Sequence, residues 1–264
     1  MRIARVPLSF VLSALLLIPS AAQQTATSSP QALQLLQRSH GALAGGQALT
    51  DVTLSGTARR IAGSDDESGS AILKGLASGA ASTDLSLSSG QRSEVQNLIA
   101  ASPVGTWSGP DRISHSIAYH NLMTEPAWFF PAFAISRRVS TKGYVATYVG
   151  HETHNGQTVE HVSVSQTPSA QMASGASLFQ HLTQVDFFLD SSTLLPAAIT
   201  FNIHPDKNAA LDIPVEIRFS EYRTVNGAEV PFHVQKFVNN SLFLDFEAQS
   251  ATLNSGLAAS DFSL

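Results

Sequence analysis

Through the second half of the chain, apolar and polar residues alternate one for one. Ile199, Phe201 and Ile203 alternate with Thr200 and Asn202, and Val215, Ile217 and Phe219 with Glu216, Arg218 and Ser220. Val230, Phe232 and Val234 alternate with Pro231, His233 and Gln235, and Leu242, Leu244 and Phe246 with Phe243, Asp245 and Glu247. A period of two predicts strands with one apolar face and one wet face, as in an antiparallel sheet solvated on one side. The turns between the runs are explicit. Thr147–His154 leads through Asn155-Gly156 into Gln157–Gln166, Val215–Val225 through Asn226-Gly227 into Ala228–Val238, and Asn239-Asn240 turns that strand into Ser241–Leu253. Asn-Gly pairs suit type I′ turns, whose two central residues need positive φ. Asp190-Ser-Ser-Thr193 separates Val185–Leu189 from Leu195–His204 as a further hairpin. Successive hairpins make a meander, and a long twisted meander must curl or be covered.

The first half is less regular. Ser29-Pro30 reads as an N-cap with proline at the first helical position, and Leu33, Leu36, His40 and Leu43 form an apolar stripe that ends at Gly45-Gly46. Val52 and Leu54 alternate with Thr53 and Ser55 in a strand over residues 51–61. Residues 63–69 read as an acidic turn containing Asp65, Asp66 and Glu67. Residues 70–88 read as short alternating runs, and residues 90–106 fit strand or helix equally. Residues 106–111 read as a turn beside an exposed Trp107, and 113–120 as a continuing strand. Glu125–Pro131 sets Trp128, Phe129 and Phe130 between two prolines, ahead of Phe133. It fits a plug over an apolar surface or a core segment joining two parts of the sheet. Residues 166–177 read as a small-residue loop.

Composition narrows the class. Arg2 and Arg5, the apolar run Leu8–Ile18 and the small residues before Gln23 make a secretory signal over residues 1–22 with cleavage after Ala22. Residues 23–29 follow as a disordered linker, and residues 30–264 as a single domain. A periplasmic or secreted location is expected. Net charge is −5, and loss of Arg2 and Arg5 leaves 13 basic against 20 acidic residues, or −7. Such a surface argues against nucleic acid as a partner and allows at most peripheral membrane contact. With no cysteine, neither disulfides nor a thiol nucleophile are available.

The motifs resemble a known family. Val-Thr-Leu-Ser-Gly-Thr-Ala (52–58), the Gly150–Gly156 hairpin, the Phe187–Pro196 strand–Asp–turn–Leu-Pro step and Phe-Ser-Glu-Tyr-Arg-x-Val-Asn-Gly-x-x-Val-Pro (219–231) are similar to the outer-membrane lipoprotein carrier and lipoprotein-sorting superfamily of periplasmic proteins. The resemblance implies a mainly β (α+β) fold, a curved incomplete antiparallel β-barrel with capping helices around an apolar concavity. Family members use that concavity to shield acyl chains. Residues 90–141 carry no part of the match.

The chemistry expected is therefore binding. Trp107, Trp128, Phe129, Phe130, Phe133, Phe187, Phe201 and Phe219 are the candidates for lining a cavity that takes a lipid or an acylated protein; plain core packing is the alternative for each. A rival reading is an envelope interaction module with a filled sheet and a protein partner. A third, a cell-envelope hydrolase, needs clustered titratable groups, and no Gly-x-Ser-x-Gly elbow is present. No cofactor or metal is expected. Among the nine histidines, His151 and His154 stand three apart on a strand and face opposite sides, and the turn register pairs His151 with Glu160.

Overall fold

The computed structural model describes residues 27–98, 102–169 and 174–263; the expected signal segment lies outside them. Thirteen strands form one antiparallel sheet in the order β6-β5-β4-β3-β2-β1-β13-β12-β11-β10-β9-β8-β7. The strands are β1 (Asp51–Ala62), β2 (Asp65–Leu76), β3 (Ala80–Leu87), β4 (Gly90–Asn97), β5 (Val104–Ser108), β6 (Ser114–Ser116), β7 (Tyr144–His154), β8 (Gln157–Gln166), β9 (Val185–Asp190), β10 (Pro196–Ile203), β11 (Ile213–Val225), β12 (Ala228–Val238) and β13 (Ser241–Leu253). The chain starts in the middle at β1 and meanders outward to the edge strand β6. It then crosses to the opposite edge at β7 and meanders back until β13 pairs with β1. The sheet does not close. It curves, helped by bulges at Ser55/Gly56, Tyr148/Gly150, Pro196/Ala198 and Lys236/Phe237. The fold is thus the incomplete antiparallel barrel with helices that the alternation and the resemblance imply.

The three asparagine turns fall where the sequence places them. Asn155, Asn226, Asn239 and Asn240 all take positive φ, as do Gly156 and Gly227. His154 pairs with Gln157 and Val225 with Ala228, so each turn is two residues long. Helix α1 (Pro30–Ala44) begins at Ser29, whose hydroxyl accepts from the Ala32 N–H, and ends on the left-handed Gly45. Its buried face is Ala32, Leu35, Leu36, Ser39 and Leu43, rotated from the expected stripe because Leu35 replaces Leu33 at the centre. Ser28 and Ser29, placed in the linker by sequence, are instead tied to β7: Ser29 N donates to Ala146 O and Ala146 N to Ser28 Oγ.

Other expectations needed correction. The acidic stretch is strand, not turn. Only Gly63 and Ser64 turn, and Asp66 lies opposite Ile61 in β2, bonded through both carboxylate oxygens to Arg59. Within residues 90–106, Gly90–Asn97 and the residues from Val104 on are strand, with Trp107 inside β5 rather than in a turn. The 113–120 strand shrinks to Ser114–Ser116, then gives a 3-10 turn at Tyr119–Met123. Residues 166–177 are not all loop, because α3 (Ala176–Leu182) starts within them.

The crossover from β6 to β7 sets the interior. It carries the 3-10 turn, the aromatic segment and α2 (Pro131–Ser140), whose Phe133, Ala134 and Ile135 are buried. Helix α2 packs on α1, and both cover the concave face. Gly75 in β2 gives room for this: a Cβ there would come within 3.1 Å of the Ala127 side chain and 3.5 Å of Phe129. An ion cluster anchors the crossover. Glu125 has no side-chain exposure and meets Arg138 at 2.9 Å and Arg137 at 3.3 Å. Arg138 also donates to Ala134 O and sits over the Phe187 ring at 5.4 Å. Among the described residues no helix is long and apolar enough to cross a membrane.

Candidate functional site

The crossover fills only part of the concave face. Beyond Trp128 the face stays open as two adjoining clefts of about 270 and 180 Å³. They share Glu94, Trp107, Trp128 and Lys236. The first also has Leu85, Phe243 and Leu244 as apolar wall and Arg60 and Arg92 as cations. The second runs on to Phe201 and Ile203. Pairing puts these side chains together: Arg60 lies opposite Leu244, Leu244 opposite Lys236, Leu85 opposite Arg92, and Glu94 between Thr83 and Trp107.

The two tryptophans differ in role. Trp107 is 46% exposed and stacks on His115 with ring centres 4.4 Å apart. Trp128 is 4% exposed, with its ring edge-on to Phe129 and Lys236 Nζ 4.8 Å from its centre. The cations are held rather than floating. Arg60 stacks on Phe243 at 5.3 Å, and Arg92 lies 3.6 Å from Glu67. Burial, then the neighbouring Arg92, lowers the Arg60 pKa. Arg60 Nη1 and Arg92 Nε are buried without a hydrogen-bond partner. Buried donors left unpaired cost free energy, and an anionic group entering beside them recovers it.

Of the expected lining residues, Trp107, Trp128 and Phe201 border the clefts. Phe129, Phe130, Phe133, Phe187 and Phe219 border neither and pack in the main core under the helices. Phe130 and Phe133 meet edge-to-face at 4.8 Å. Arg60, Arg92, Glu94 and Lys236 were not anticipated. A signal existed: Lys236 occupies the apolar phase of Val230, Phe232, Val234, and Arg60 the phase of Val52, Leu54, Ala58. A cation in the buried phase of a strand marks a wet part of an otherwise dry face.

Histidines on both faces of the sheet pair with carboxylates. His151 bonds Glu160 at 2.9 Å, as its register implies, while His154 turns away to Glu216 at 2.9 Å and stacks on Phe188. His161 lies between Asp186 and Glu152, each at 3.0 Å. Ser220 Oγ, His233 and Asp245 stand in line, with His233 Nδ1 3.1 Å from the hydroxyl and Nε2 2.6 Å from the carboxylate. That order matches a nucleophile–base–acid relay. However, Ser220 is exposed on an open sheet and borders neither cleft, so no substrate group is gathered beside it. The line is a cross-strand hydrogen-bond ladder.

No protein-family model matches the sequence, and no curated protein matches it. Solved structures do match the fold. A domain assigned to outer-membrane lipoprotein sorting from Vibrio parahaemolyticus aligns with TM-score 0.55 at 13% identity, over 88% of this chain and 96% of that one. A LolA superfamily protein from Nitrosomonas europaea aligns with TM-score 0.55 at 9% identity, over 88% and 97%. A DUF1329 family protein from Desulfovibrio piger aligns with TM-score 0.53 at 10% identity, over 90% and 98%. The chain shares the fold of the lipoprotein-sorting superfamily, the likeness that its turn motifs carry.

Proposed function

We propose that this chain is an exported, non-enzymatic binding or carrier protein for a hydrophobic ligand, a lipid or the acyl part of a lipoprotein, bearing an anionic head group. The observation that carries this reading is the open cleft: Trp107, Trp128, Leu85 and Leu244 form an apolar track, with Arg60, Arg92 and Lys236 beside it. An acyl chain lies on the track, and the arginines meet a phosphate or carboxylate, for which the guanidinium fork is suited. The shared fold, and the sorting role assigned to the Vibrio parahaemolyticus domain, support the same class of ligand. The signal segment expected over residues 1–22 supports a location in the periplasm or outside the cell. The filled part of the concavity narrows the ligand to the rim between β4, β5 and β12, in place of a deep cavity lined by all eight aromatics.

The test is native mass spectrometry of protein recovered from the envelope, with identification of extracted lipid. The protein is then incubated with vesicles of phosphatidylglycerol and, separately, of phosphatidylcholine. A stoichiometric lipid adduct that favours the anionic vesicle supports the reading. A mass that stays clean in all three overturns it and favours a protein partner. Val104, Trp107, Ile113 and Tyr119, exposed near the β6 edge, would be the surface to map for that partner.

A further inference from the structure

We propose that His181, His204 and Asp212 form a binding site for one divalent transition-metal ion of the zinc class. The residues come from three places: the last turn of α3, the residue after β10, and the residue before β11. Asp212 Oδ1 lies 2.8 Å from His181 Nε2 and 3.1 Å from His204 Nε2, and one ligand atom from each residue falls within 4.8 Å of the others. Ligand atoms on a tetrahedral zinc ion stand ~3.3 Å apart for bonds of ~2.0–2.1 Å. The two Asp212 contacts therefore need to open by only a few tenths of an ångström, and the two imidazole nitrogens already stand within 4.8 Å of each other.

Further observations set this group apart from a surface ion pair. His204 has no exposed side-chain surface, and its Nδ1 is buried with no partner. Its position is fixed from the backbone: His204 N donates to Asn121 Oδ1 and Asn121 Nδ2 donates to His204 O, both at 2.8 Å. The clamp brings His120 alongside, edge-on to His204 at 5.8 Å between ring centres, with its own Nε2 buried and unpartnered. His181 stands 6.0 Å from His204 in the same edge-on manner. Two imidazoles on one tetrahedral ion have ring centres about 5 Å apart. Two imidazoles on one carboxylate oxygen, one of them fully buried, suit a borderline cation better than they suit water-exposed pairing. Nitrogen and carboxylate donors favour zinc, copper or nickel over calcium or magnesium. His120 belongs to the 3-10 turn of the crossover, and the other residues belong to the β9–β11 side. An ion here ties α3 to the β10–β11 connection, next to the second cleft, where Asn121, Ile203 and Asp206 form the wall.

The experiment uses untagged full chain, zinc chloride in competition with a chromogenic chelator, and cobalt substitution read by visible absorption. The expected result is one ion per chain with the strong absorption of tetrahedral cobalt. His181→Ala and Asp212→Asn should each weaken zinc binding at least ~100-fold, since loss of even outer partners costs 10–100-fold. Both side chains are about two-fifths exposed, 40% and 42%, and an unchanged urea midpoint without metal confirms that the variants fold. Absence of stoichiometric binding overturns the proposal. So does equal affinity in both variants, which would move the ion to the His151–His161 hairpin.

Discussion

The two parts of the concave face are built from the same kinds of residue and end differently. Under α1 and α2, Phe129, Phe130, Phe133 and Phe187 belong to one core cluster with β2, and each is at most 1% exposed. Beyond Trp128 the aromatics are just as large, yet the face stays open because Arg60, Arg92 and Lys236 sit in the inward phase. A charged head cannot be covered by a phenyl ring without a partner, so the crossover stops where the cations begin. Aromatic content alone therefore does not mark a binding surface. Under the proposed function, the aromatics that mark it are those beside inward-facing cations.

The contrast can be broken from the filled side first. Phe133→Ala should lower stability by about 3–5 kcal/mol in urea unfolding, the cost of deleting a buried aromatic; a change under about 1 kcal/mol would show that this part is not core. Glu125→Gln should cost a comparable 3–5 kcal/mol, because Arg138 is left buried without its carboxylate. From the open side, Trp107→Ala should change stability by less than about 1 kcal/mol while weakening phosphatidylglycerol binding at least tenfold, measured by titration into vesicles. Equal losses of fold and binding would erase the distinction between the two parts. Arg60→Ala with Arg92→Ala should reduce the preference for anionic over zwitterionic vesicles, and added salt should do the same in the parent protein.

The smallest effect lies on the outer face. Burial pulls the His161 pKa down, but the hydrogen bond and charge of Asp186, then those of Glu152, outweigh it and leave it above the ordinary 6.5. A raised folded pKa contributes stability that is fully present below about pH 6.5 and is lost as pH rises through the folded value. Thermal melts from pH 5.5 to 8.5 should therefore fall with pH more steeply for the parent than for His161→Gln. Parallel curves would remove His161 from the account.

How far the sequence led depended on how local each cause was. Asn226-Gly227 and Ser29-Pro30 act within four residues, and both the turn and the helix start lie where the residues put them. The alternation of β10 to β13 was equally plain because one face is solvated. Asp66 misled because its partner, Arg59, comes from the neighbouring strand and makes an acidic residue comfortable in a sheet. Helix α3 hid in a small-residue segment with weak periodicity. The division of the concave face was out of reach for another reason: it depends on where a crossover between two sheet edges lies. Nothing within Glu125–Pro131 says that the sheet it covers is its own. The clustering of His181, His204 and Asp212 has the same character, since it forms only when α3 meets the β10–β11 connection.

The seam between β1 and β13 has a consequence for how the protein is made. Val52 pairs with Leu253 and Arg60 with Leu244, so the middle of the sheet is joined by residues from opposite ends of the chain. Each meander can form hairpin by hairpin, but the two remain separate sheets until the C-terminal strand arrives. Such long-range pairing slows folding, and the seam cannot form before β13 is available. Until then both inner faces are uncovered, so the apolar side chains that will form the core stay in water longest of all.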